Sequence, residues 1–183
     1  MLKNKDILDE KNKKLREVSE DVIFPLLDED KKAIEDMIEY LTNSQIEELC
    51  EKYKLRAGMG MAAIQLGIKK RYFVVVHEQE EEGTFKKYIL INPKIVSTSE
   101  ELIYVEEGEG CLSVNRPVKG IIPRCARVTL EAYDINGKLF TVRGREELAV
   151  VFQHEIDHLN GILFVDKIDK KNPLKDKDKY RPI

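Results

Sequence analysis

Gln153-His154-Glu155-Ile156-Asp157-His158-Leu159-Asn160-Gly161 is the stretch on which the rest of the chain turns. It holds two of the three histidines, four residues apart, with a glutamate directly after the first. On a helix, His154 and His158 share one face, one turn apart, and their imidazoles can grip one metal ion from the same side. Glu155 is rotated by about 100°, too far to be a third ligand but well placed to serve as a general base beside the metal. Leu148-Ala149-Val150-Val151-Phe152 before the histidines, and Ile156 and Leu159 among them, predict a helix apolar on nearly every face. Such a helix is buried, and Gly161 is its natural stop. A buried helix carrying His, Glu, Asp and His without a use for them would bear uncompensated polar groups, which are costly.

A catalytic metal normally takes three protein ligands and leaves a position for water. One metalloprotease pattern places a third histidine six residues after the second, beyond a glycine. Gly161 is present, but the sixth position is Phe164, which excludes that pattern. A downstream glutamate is excluded too, because none follows Glu155. Asp166 and Asp169 remain downstream, and His77, Cys50, Cys111 and Cys125 upstream. Cys111 lies among glycines in Gly108-Glu109-Gly110-Cys111-Leu112-Ser113, a turn from which its sulfur can reach a partner. It is the best third ligand, ahead of Asp166, and bound to metal it is a thiolate. A free nucleophile is the rival role for Cys111. Cys50 falls on a helix face, Cys125 beside a strand and His77 at a strand end, where solvation or an ion pair accounts for it.

The surrounding 183 residues are 42% hydrophobic and 36% charged, with a formal net charge of -3, an ordinary globular composition without a strong single-sign field. Nucleic-acid binding by bulk charge is thereby disfavoured. Three unpaired cysteines argue for a reducing compartment, and neither an apolar leader nor a membrane-length run occurs, so the expected location is cytoplasmic. Residues 1–183 read as one domain, with Lys-rich 167–183 as a solvated tail that could touch a partner such as the ribosome.

Helical spacing of Ala33, Ile34, Met37, Ile38 and Leu41 predicts a helix over about residues 30–42. Thr42-Asn43-Ser44 is read as its interruption, and Ser44 with Glu47 as a capping box opening a second helix. Tyr72 to His77 and Phe85 to Ile91 predict a hairpin across the acidic turn Glu78 to Gly83. Asn92-Pro93 is expected to break the sheet, with separate strands at 94–97 and 102–105. The run 127–133 predicts one arm of a second hairpin, turning through Asn136-Gly137. In Gly58-Met59-Gly60-Met61-Ala62-Ala63-Ile64-Gln65, dense small residues permit close approach of another chain or a ligand to the backbone. Gln65 there can donate to a substrate oxygen, although taken alone it reads as an exposed polar residue.

Three stretches together carry a resemblance. GMGMAAIQ at 58–65, EGCLS at 109–113 and QHEIDH at 153–158 resemble, in order, the three signature motifs of peptide deformylases. The helical segment near 44–56 and the EGCLSV stretch are similar to the branch common in Gram-positive bacteria. Ile64 stands where that family usually has proline. The resemblance implies an α+β fold in which the metal-binding helix packs among antiparallel β-sheets. It implies hydrolytic removal of the formyl group from the N-formylmethionine that begins new polypeptides, releasing formate. Cys111, His154 and His158 would hold the metal and Glu155 would move the proton. Gln65 and the Leu112 N–H would stabilise the oxyanion, and Gly60 would bind the peptide. Ferrous iron is the implied physiological metal, with Zn(2+), Ni(2+) or Co(2+) possible in preparations. Two other classes stay in view: a protease cutting internal bonds, which leaves EGCLS unexplained, and a closed metal-binding module, which needs a fourth strong ligand.

Overall fold

The computed structural model describes residues 1–79, 81 and 83–183. The helix predicted around the histidines runs Glu147–Leu159 (α3), with ten of its residues buried. Its apolar side, Ala149, Phe152, Ile156 and Leu159, packs on Phe73, Val75, Leu90, Val128 and Leu130 of a sheet. Burying side chains of this size contributes about 1.5–3 kcal/mol each. Phe152 also meets Tyr88 edge-on, with ring centroids 5.6 Å apart.

That sheet has five strands: Gly60–Ala62 (β1), Tyr72–Glu78 (β2), Phe85–Thr98 (β3), Arg127–Tyr133 (β6) and Leu139–Arg145 (β7). They lie in the order β1-β2-β3-β6-β7, and every pairing is antiparallel. Strand β2 shows why a continuous apolar run was needed. Phe73 and Val75 face α3, whereas Tyr72, Val74 and Val76 face a second cluster with Ile34, Met37 and Leu41. Alternate residues thus bury on opposite faces. The latter three residues belong to Asp28–Gln45 (α1), so helices cover both sides of the sheet. A smaller sheet joins Leu102–Tyr104 (β4) to Arg124–Cys125 (β5) on one side and Arg181–Pro182 (β8) on the other. The architecture is α+β, as the resemblance implies.

Three local expectations fail for physical reasons. Helix α1 runs straight through Thr42-Asn43-Ser44. Ser44 is no cap: its hydroxyl donates back to Leu41 O at 2.9 Å, inside the helix. The following helix, Glu47–Tyr53 (α2), starts after Ile46 without any side-chain cap. The Gln45 amide donates to Gly58 O (3.1 Å) and Val76 O (2.9 Å), which pins the end of α1 to the sheet region beyond the presumed break. Nor does Asn92-Pro93 end a strand. The register passes from Ile91↔Tyr133 to Lys94↔Glu131, so two residues oppose one in a bulge where proline's missing N–H is tolerated. Asn92 takes the left-handed conformation (φ 50°), and its side chain bonds both the N–H and C=O of Val22. Gln65, read alone as exposed, is 1% exposed. The acidic turn Glu78 to Gly83 includes Glu80 and Glu82, which lie outside the described residues.

The stretch 167–183 is exposed along much of its length, yet its last residues return to the fold. Strand β8 pairs in parallel with β4, and Arg181 bonds Glu101 and Glu146. No helix among the described residues is long and apolar enough to cross a membrane.

Candidate active site

Helix α3 places His154 and His158 one turn apart, with ring centroids 4.9 Å from each other. The loop after β4 brings Cys111 to them, its Sγ 3.2 Å from His158 Nε2. A sulfur and two imidazole nitrogens from these residues lie mutually within 4.8 Å, the grouping that a single metal ion requires. Among the described residues this is the group so arranged; Cys50, Cys125, His77, Asp166 and Asp169 fall elsewhere. Cys50 packs beside α1 with its Sγ 3.3 Å from Leu55 O. His77 faces Gln79, and Asp166 pairs with Arg16.

The cluster sits at the floor of a cavity of about 790 Å³ whose wall includes Gly60, Gln65, Leu112, Val150 and Glu155. Each glycine of the Gly58-Met59-Gly60 run leaves room for another motif. A Cβ on Gly58 would meet Leu112 Cδ1 at 2.9 Å, and one on Gly60 would meet Glu155 Oε1 at 2.3 Å. This is the close backbone approach expected from the small residues. Gln65 follows in a 3-10 turn, Ala63–Leu66. Its Oε1 accepts from the Ala62 N–H (2.9 Å), and its Nε2 donates to Ser113 Oγ (3.0 Å) and points at Cys111 Sγ (3.8 Å). Both ends of the carboxamide are held, which fixes its Nε2 between Ser113 and Cys111 at the cavity wall.

Glu155 is 3% exposed, and its Oε2 has no partner among the described residues. Burial raises its carboxyl to about 7, against the opposing pull of His154. A carboxyl held near neutrality can both take and return a proton. Burial, reinforced by His154, holds His158 well below the ordinary histidine value, so it stays a neutral donor.

Behind the cluster runs an ionic chain, buried at Glu109 and Arg124 and reaching the surface at Lys167, that spacing did not reveal. The Glu109 carboxylate meets His154 Nδ1 at 2.9 Å, which turns Nε2 of that ring toward Cys111. Arg124 forks onto Glu109 (2.7 and 2.9 Å) and bonds Asp157 at 2.5 Å, and Lys167 reaches Asp157 at 3.1 Å. Burial alone would raise the Glu109 carboxyl, but the Arg124 and His154 bonds outweigh it and hold it at about 2. Asp157 occupies a position inside the histidine motif, and its acidity in a buried helix was the available signal. Its partner Arg124 is distant in sequence. Arg124→Leu removes the buried cation shared by Glu109 and Asp157 and is expected to lower stability by about 3–5 kcal/mol. Urea unfolding of wild type and variant measures it, and a change below about 1 kcal/mol would show the chain to be dispensable.

Residues 4–173 match the family model described as "Polypeptide deformylase". Over 183 residues the chain is 46% identical to "Peptide deformylase 2" of Bacillus anthracis, covering 100% of this chain and 99% of that relative. Over 173 residues it is 50% identical to the peptide deformylase of Listeria monocytogenes serotype 4a, covering 94% of each. Among solved structures, the peptide deformylase of Thermotoga maritima aligns with a TM-score of 0.69 at 31% identity, over 89% of this chain and 96% of that one. A Met-Ala-Ser-bound peptide deformylase from Acinetobacter baumannii aligns with a TM-score of 0.68 at 26% identity, over 88% and 96%.

Proposed function

The chain belongs to the peptide deformylase family, metal-dependent hydrolases that release formate from N-formylmethionyl peptides, and from that premise we propose which of its residues carry the reaction. The observation that carries the assignment is the meeting, at one cavity floor, of the Cys111–His154–His158 donor group and the unpartnered carboxylate oxygen of Glu155. Cys111 Sγ and one nitrogen of each histidine would hold the ion. The donor set fits: a thiolate and two imidazoles suit a first-row divalent metal, and Glu109 already orients His154. A bound ion would supply Lewis acidity there. Ferrous iron is the proposed cellular metal, with zinc, nickel and cobalt able to occupy the same donors.

Glu155 takes the proton of the attacking water and returns it to the departing nitrogen, a role its position near neutrality supports. The Gln65 amide and the Leu112 N–H receive the charge that develops on the formyl oxygen. Strand β1 lies at the edge of its sheet, so Gly60 and its neighbours offer backbone groups to an extended peptide. The apolar wall around Leu112 and Val150 takes the methionine side chain. Residues 1–183 act as one catalytic domain, supported by β8 pairing back onto β4. Substrates of this kind arise where translation does, which favours a cytoplasmic location. A ribosome contact through 167–183 is testable by replacing its exposed lysines with serine; undiminished co-sedimentation rejects it.

Offered formyl-Met-Ala-Ser without air, nickel- or iron-loaded protein is expected to release formate. An unformylated peptide with internal bonds should stay intact. Cleavage of the latter, or no formate from the former, overturns the reading.

A further inference from the structure

The segment Leu8–Ser19 supplies none of the proposed chemistry, yet its backbone touches all three stretches that do. The Leu8 N–H donates to Gln65 O at 2.8 Å, the Glu10 N–H to Ser113 O at 2.7 Å, and the Ser19 N–H to Leu159 O at 2.9 Å. At the third contact Gly161 (φ 74°) leaves the space: a Cβ there would stand 2.5 Å from Arg16 O. Leu15, fully buried, anchors the middle of the segment among Ile64, Phe73 and Leu159.

Leu8 and Glu10 are two residues apart, which spans at most about 7 Å of chain. Their two bonds therefore fix how far the turn carrying Gln65 stands from the loop carrying Leu112. Ser113 is where these constraints meet, since its carbonyl accepts from Glu10 and its hydroxyl accepts from the Gln65 amide. Side chains fasten the same joint from outside. Arg116 forks onto Glu10 at 2.7 and 3.0 Å, and Asn115 donates to Asp9 at 2.8 Å. Arg116 belongs to the cavity wall; Glu10 does not.

We propose that Glu10 is a positioning residue for the deformylase reaction: its carboxylate holds Arg116, and with it the loop whose Ser113 carbonyl accepts the Glu10 N–H, so that the Gln65 amide and the Leu112 N–H keep their spacing. The proposal rests on the reading of those two groups as oxyanion donors. A donor pair displaced by a fraction of an ångström loses transition-state stabilisation while substrate binding persists, so the effect belongs in kcat and not in KM.

The test uses nickel-loaded protein and formyl-Met-Ala-Ser, with Glu10→Arg, Arg116→Glu and the charge-swapped double variant. Each is made in the wild-type and Gln65→Ala backgrounds. Glu10→Arg is expected to lower kcat about tenfold, short of the roughly 10²-fold that a 1 Å misplacement can cost. KM, metal content and the unfolding midpoint should stay near wild type. The swap should restore kcat to within about twofold, and in the Gln65→Ala background the Glu10→Arg penalty should largely vanish, because coupled sites are not additive. An unchanged kcat in Glu10→Arg, a loss confined to KM or metal content, or a swap that does not restore kcat overturns the proposal. If Gln65→Ala alone keeps full kcat, the donor reading falls and the proposal falls with it. A slow Gln65→Ala beside a fast Glu10→Arg sinks the positioning role only.

Discussion

Glu155→Gln loses about 10²–10⁴-fold in formate release while keeping its metal, the range that a positioned general base contributes. The substitution is nearly isosteric, so Gly60, whose missing Cβ leaves room for the Glu155 carboxyl, still accommodates it. The amide cannot accept a proton. Glutamine also removes a group whose carboxyl burial raises to about 7, so the helix loses no salt bridge and the variant should fold normally. Metal content by atomic emission and kcat with formyl-Met-Ala-Ser are the two readouts. Near-wild-type turnover takes Glu155 out of the mechanism; loss of metal makes it a ligand.

Cys111→Ser is expected to lose the metal itself, and activity with it. A serine hydroxyl at neutral pH is a far weaker anionic donor than a thiolate, and two histidines alone hold a divalent ion poorly. The sulfur lies 3.2 Å from His158 Nε2 and accepts from the Ser113 N–H at 3.4 Å, so the oxygen inherits the place without the affinity. Cys125→Ser serves as the control, since Cys125 stands in β5 beside Gln153 and outside the donor group. In air, iron-loaded wild type and Cys125→Ser should inactivate at one rate through oxidation of the Cys111 thiolate, and nickel-loaded protein should persist. A Cys111→Ser variant that binds metal like wild type moves the third ligand elsewhere.

The chemistry was legible because it sits in local patterns. Four-residue spacing put His154 and His158 on one helical face, and a cysteine among glycines marked a loop able to bring sulfur to them. The apolar run of β2 was legible for the same reason, since burial on both faces leaves no polar alternation. What escaped depended on partners far away in sequence. Ser44 and Glu47 fit a capping pattern, but Gln45 found acceptors at Gly58 and Val76, and α1 ran on. Asn92-Pro93 carried the marks of a break, and a bulge opposite Ala132, with Val22 as partner, absorbed it. Gln65 could be placed in the cavity only by resemblance, because its burial is enforced by Ser113, forty-eight positions later.

The chain of Glu109, Arg124, Asp157 and Lys167 behind the histidines alternates in sign, and its formal charges sum to zero. It gives His154 a direction without adding a net formal charge behind it. The cavity wall itself carries Arg56, Glu109, Arg116 and Glu147, so an incoming formyl group meets charges of both signs besides those at the donor group and Glu155. With its carboxyl raised to about 7, Glu155 carries less than a whole charge near neutral pH, whereas removing Arg124 leaves the chain with an excess negative charge. An exchange that keeps the alternation of signs, such as Arg124→Lys, preserves that neutrality, whereas one that removes a member leaves an uncompensated charge beside His154.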